Sequence, residues 1–67
     1  MFAEYEVVFL VDDLSPLLKA GTRGVVLRIY DDNPPGYEVE FFDANHTSIG
    51  VETVREWQIT KIAETQK

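Results

Sequence analysis

Apolar and polar side chains alternate along short runs of this chain, and each run ends at residues that favour turns. A period of two sends successive side chains to opposite faces of an extended strand. The clearest run is 37–41, where Tyr37, Val39 and Phe41 share one face and Glu38 and Glu40 the other. Over 25–30, Val25, Leu27 and Ile29 are expected on one inward face, with Val26, Arg28 and Tyr30 opposite. Over 48–54 the same reading sends Ile49, Val51 and Thr53 inward. The run 4–11 is rich in β-branched and aromatic residues, which predicts a first strand. Here Val8 and Leu10 point one way and Val7, Phe9 and Val11 the other, so both faces are apolar.

The punctuation fixes the order of these strands. Two prolines and a glycine make Asp31-Asp32-Asn33-Pro34-Pro35-Gly36 a turn, because proline cannot donate to a sheet ladder. Asp43-Ala44-Asn45-His46-Thr47 makes a second turn. The long connection 12–22 carries Leu14, Leu17 and Leu18, which are expected to tuck beneath the sheet. Gly21 suits a tight turn with positive φ, and Gly24 suits a close crossing of another strand. Residues 55–58 leave room for a single 3₁₀ turn before a short closing strand at 59–62. A long loop after strand one, two hairpins and a 3₁₀ turn before the last strand give the order of a five-stranded, all-β, SH3-like barrel. An OB-fold ranks second, because it places a helix between its third and fourth strands, where only 43–47 is available. The expected organisation is one domain over 1–62 and a tail over 63–67.

With 67 residues the chain buries a thin core, roughly 60% of its unfolded surface. It has no cysteine, so neither a disulfide nor a thiolate metal site is available. The longest apolar run, 7–11, is far short of the ~20 residues of a membrane helix. A soluble, cytoplasmic protein is the expectation. Twelve acids oppose six bases, for a net charge of −6, which removes the electrostatic attraction that dominates binding to phosphates. An RNA- or DNA-binding module using Lys19, Arg23 and Arg28, with Tyr30 or Tyr37 stacking a base, is therefore the alternative reading, not the first.

Three segments carry a resemblance. They are Glu6-Val7-Val8-Phe9-Leu10-Val11-Asp12-Asp13-Leu14, then Leu18-Lys19-Ala20-Gly21-Thr22-Arg23-Gly24-Val25-Val26-Leu27-Arg28-Ile29-Tyr30, then Tyr37-Glu38-Val39-Glu40-Phe41-Phe42-Asp43. Together they resemble a family of bacterial proteins of about 70 residues catalogued as a domain of unknown function. The likeness extends to Ile62 and departs at Glu6, at Val25 and at Trp57. It implies the barrel and brings no catalytic or binding residue.

The remaining chemistry is sparse. His46 is the single histidine, placed in a turn near Asp43, and a general acid or base would need a cleft and an orienting partner there. An exposed turn histidine is the expectation. Ser15 and Ser48 have no neighbouring base for a nucleophile triad. Asp12-Asp13 and Asp31-Asp32-Asn33 lack the alternating spacing of a hard-cation loop and are read as turn formers. No cofactor, no metal and no enzymatic activity are expected. Tyr5, Phe9, Tyr30, Phe42 and Trp57 are the aromatics least readily assigned to the core, and Phe9 and Phe42 lie opposite the inward sets. The candidate interaction residues are Phe9, Tyr30, Phe42 and Trp57. They point to a protein-interaction module, either a homodimer or an acidic partner of a basic protein such as an adjacently encoded toxin or nuclease.

Overall fold

The computed structural model describes residues 1–62 and contains five antiparallel strands. The strands are β1 (Val7–Leu10), β2 (Arg23–Tyr30), β3 (Gly36–Phe42), β4 (Ser48–Arg55) and β5 (Ile59–Thr60), with a 3₁₀ turn at Glu56–Gln58. The sheet order is β4-β3-β2-β1-β5, so β1 joins the last strand to the meander. This is the SH3-like arrangement, curled as a half-barrel with β4 and β5 at its edges. The expected tail over 63–67 lies outside the described residues.

The core is built from Phe2, Val8, Leu10, Leu18, Val26, Tyr37, Val39, Phe41, Val54 and Ile59. Strand β3 behaves as its alternation predicts, with Tyr37, Val39 and Phe41 wholly buried. Strand β2 does not follow the expected parity. Gly24 lies opposite Phe41 and Val26 opposite Val39, so Val26 is the buried residue and Val25 and Leu27 are only half-buried. A bulge between Val26 and Arg28 inserts one residue, which returns Ile29 to the core side opposite Tyr37. The expected inward set was thus right for Ile29 and wrong for Val25 and Leu27.

Strand β4 is also shifted from its expected parity. Val54 pairs with Tyr37, Glu52 with Val39 and Gly50 with Phe41, so even-numbered positions face the core side. Val51 and Thr53 are exposed, and Ile49 reaches the core beside an irregularity between Phe41 and Phe42. Strand β1 starts later than the expected 4–11 because Tyr5 takes φ +67 and turns the chain. Strand β5 is two residues long, and Ile62 is exposed beyond it.

In the long loop, Leu18 is buried and Leu14 packs on the core, whereas Leu17 is 74% exposed, against the expectation that all three tuck in. The loop is held by Leu14 N donating to Leu18 O at 2.7 Å and Ala20 N donating to Asp13 Oδ1 at 2.8 Å. The other end of the sheet is closed by Phe2, whose ring meets Tyr37 edge-on at 5.4 Å. Tyr37 donates its hydroxyl to Glu56 Oε1 at 3.2 Å, and the Met1 amine pairs with Glu56 Oε2 at 2.6 Å.

Candidate functional site

Strand register decides which residues share the outer face, because side chains directly opposite one another lie on the same side. One row across that face runs Thr60, Phe9, Arg23, Phe42, Ser48. The next runs Val7, Val25, Glu40, Val51. Phe9 and Phe42 are separated by one strand, about 10 Å at the usual strand spacing. Arg23 stands between them and stacks on Phe42 at 5.5 Å from the ring centroid. Val7 and Val51 are 41% and 44% exposed, high values for valine on a sheet face. The result is a partly open apolar surface with Arg23, Arg28, Glu38 and Glu40 set into it.

At the Arg23 end this surface runs into an open cleft of about 470 Å³ between the β1–β2 loop and the β3–β4 turn. Leu17, Gly21, Arg23, Phe42, Asp43, His46 and Ile49 are among its lining residues. His46 is exposed in the turn, and its Nδ1 lies 3.0 Å from an Arg23 guanidinium nitrogen. An arginine can only donate, so Nδ1 accepts and the neutral ring carries its proton on Nε2. Asp43 Oδ1 accepts from Asn45 N at 2.8 Å and Thr47 N at 3.0 Å, which shapes the turn. The loops, not the barrel interior, border this cleft.

Two of the four candidate aromatics, Phe9 and Phe42, come together. Tyr30 lies at the opposite end of β2, where its hydroxyl donates to Glu38 Oε1 at 2.9 Å beneath Arg28. That hydrogen bond raises the Tyr30 phenol above its ordinary value, with desolvation adding to it. Trp57 is 65% exposed in the 3₁₀ turn. The basic trio is also dispersed. Lys19 faces Asp13 at 3.9 Å, and Arg23 and Arg28 lie about 16 Å apart along β2 at the usual rise per residue. Among the described residues no group of three His, Cys, Asp or Glu side chains is placed to hold a metal ion.

A family profile described as a domain of unknown function, DUF4926, matches residues 4–61. The chain belongs to that family. The DUF4926 match spans all five strands, both hairpins and the cleft. No curated protein and no solved structure matches the chain. Among the described residues of this DUF4926 domain, no helix is long and apolar enough to cross a membrane. Two features of the domain escaped sequence reading. Phe2 carries no signal beyond its hydrophobicity, and the Arg23–His46 contact joins positions 23 residues apart that only the folded register brings together.

Proposed function

We propose that this domain is a non-enzymatic protein-interaction module that binds through the outer face of its sheet. The observation that carries the reading is the half-buried Phe9–Arg23–Phe42 row, flanked by exposed Val7 and Val51. Small monomeric domains rarely leave aromatic and branched side chains contiguous on a solvent face. The face itself carries two acids, Glu38 and Glu40, and two bases, Arg23 and Arg28, within a chain of net charge −6. A face-to-face homodimer would bring two chains of net charge −6 against one another. A partner with basic groups around an apolar centre fits better, as in an acidic protein that caps a basic one in the cytoplasm. Charge complementarity of this kind would speed association and weaken with salt.

The test compares affinity capture from the native host by wild type, Phe9→Ser and Val51→Ser. Loss of a basic partner in both variants, with thermal unfolding retained, is expected. Capture unchanged by both variants would remove the outer face from the account. Sedimentation equilibrium on the purified chain separates self-association from binding another protein. The nucleic-acid alternative gains no support from the dispersed positions of Lys19, Arg23 and Arg28.

A further inference from the structure

Arg23 is held in place without being neutralised. Its guanidinium rests on Phe42 and donates to His46 Nδ1 at 3.0 Å. The ion pairs among the described residues are Met1–Glu56, Lys19–Asp13 and Lys61–Glu6, so no carboxylate there lies within pairing distance of Arg23. Arg55, by comparison, donates to the Pro34 carbonyl at 3.1 Å and does not line this cleft. A guanidinium offers five N–H donors, of which His46 uses one, and the tautomer fixed by that contact leaves His46 Nε2–H as a further donor. Both groups line the cleft, and Leu17 and Ile49 supply apolar lining there.

Several backbone donors nearby are already engaged. Gly21 N donates to Leu10 O, Thr22 N to Lys19 O and His46 N to Asp43 O. The Thr22 hydroxyl donates to Lys19 O at 2.6 Å. Recognition in the cleft therefore falls to the arginine fork and the imidazole. A planar guanidinium matches the geometry of a carboxylate and binds it through two parallel hydrogen bonds. The cleft volume falls within the range of sites for small ligands.

We propose that this cleft binds a carboxylate carried on an apolar stem, namely the C-terminal residue of an extended peptide whose last side chain is apolar. A terminal residue carries its carboxylate and its side chain on one Cα, so both enter together. In an extended segment an internal acidic side chain and its apolar neighbour point to opposite faces, and only one can enter. The carboxylate meets Arg23 and His46 Nε2–H, and the apolar side chain meets Leu17 and Ile49. The net charge of −6 opposes an anion at long range, where a Debye length of about 8 Å at physiological salt screens it. Among the described residues Asp43 is the one acid in the cleft lining, its Oδ1 already held by Asn45 N and Thr47 N, set against Arg23 and His46. The inference does not depend on the interaction reading above. Val7 and Val51 belong to the outer face and not to the cleft lining, so Val51→Ser tests that face and leaves this site intact.

The experiment is an NMR titration of the isotope-labelled full chain with N-acetyl-Gly-Gly-Leu, bearing either a free carboxylate or an amide. Shifts at the Arg23 side chain and residues 43–47 are expected with the acid, with binding at least tenfold tighter than the amide. Arg23→Gln should weaken the acid at least tenfold, Arg23→Lys should fall between, and Arg28→Gln should match wild type. Equal binding of acid and amide would overturn the proposal. Undiminished binding in Arg23→Gln, or tighter binding of N-acetyl-Leu-Glu-Leu-amide, would do so too. The acid-against-amide comparison uses the wild-type chain and stands whether or not a variant folds.

Discussion

A β-carbon built on Gly24 would lie 2.5 Å from Val39 Cγ1 and 2.8 Å from Phe41 Cδ1, both wholly buried. Neither neighbour can retreat, because each packs within the closed core. Gly24→Ala should therefore cost about 1–3 kcal/mol, as overpacking does, read as a lower urea midpoint at unchanged slope. Tyr5 makes the opposite case. It holds φ +67 while 72% exposed, a left-handed conformation that a bulky side chain pays about 1–2 kcal/mol to adopt. Tyr5→Asn keeps the Tyr5 N donation to Val26 O and relieves that strain. The variant should be more stable by about 0.5–1 kcal/mol in the same urea experiment. A loss of stability would mean that the exposed ring makes contacts worth more than the strain.

At the scale of elements, legibility followed the contrast between a strand's two faces. In β3 apolar and acidic residues alternate strictly, and every inward residue was readable. In β2 three successive apolar residues, Val25, Val26 and Leu27, satisfy either parity, and the bulge then resets it, so the pattern alone could not decide. In β4 the core-side positions include Glu52, because an edge strand of a half-open sheet leaves part of that side in water. The outer placement of Phe9 and Phe42 was readable because β1 and β3 keep their parity, whereas the cleft arises from two loops whose approach has no local code. Glu52 has a consequence of its own. A charge on the core side of a free edge discourages another strand from pairing there. Glu52→Val should promote self-association through β4, seen as a concentration-dependent rise in sedimentation mass. A variant that stays strictly monomeric at high concentration would show that Glu52 is not the guard of that edge.

For the whole molecule, titrating groups around the N-terminal turn and the 3₁₀ turn set the pH range of stability. Glu6 is held below its ordinary value first by the Ala3 N–H, which it accepts at 2.9 Å, and then by Lys61 at 3.3 Å. Glu56 is held below its own first by the Met1 amine and then by the Tyr37 hydroxyl. A lowered carboxylate contributes stability that is present above its unfolded pKa, about 4.5 here, and is lost as pH falls through the folded value. Tyr37 is raised above 10.0 chiefly by burial, with Glu56 adding to it. A raised phenol contributes stability that is complete below its unfolded pKa and is lost as pH climbs through the folded value. The melting temperature should thus fall on the acid side below roughly pH 5 and on the alkaline side above roughly pH 9. Glu6→Gln and Glu56→Gln should each flatten the acid limb, and Tyr37→Phe the alkaline one, although Tyr30 keeps part of that limb. Scanning calorimetry across pH reads all three. Because Tyr37 and Glu56 share one hydrogen bond, the double variant Tyr37→Phe/Glu56→Gln should lose less than the two single losses combined. Strict additivity would mean that the two ends of the titration curve report on separate parts of the fold.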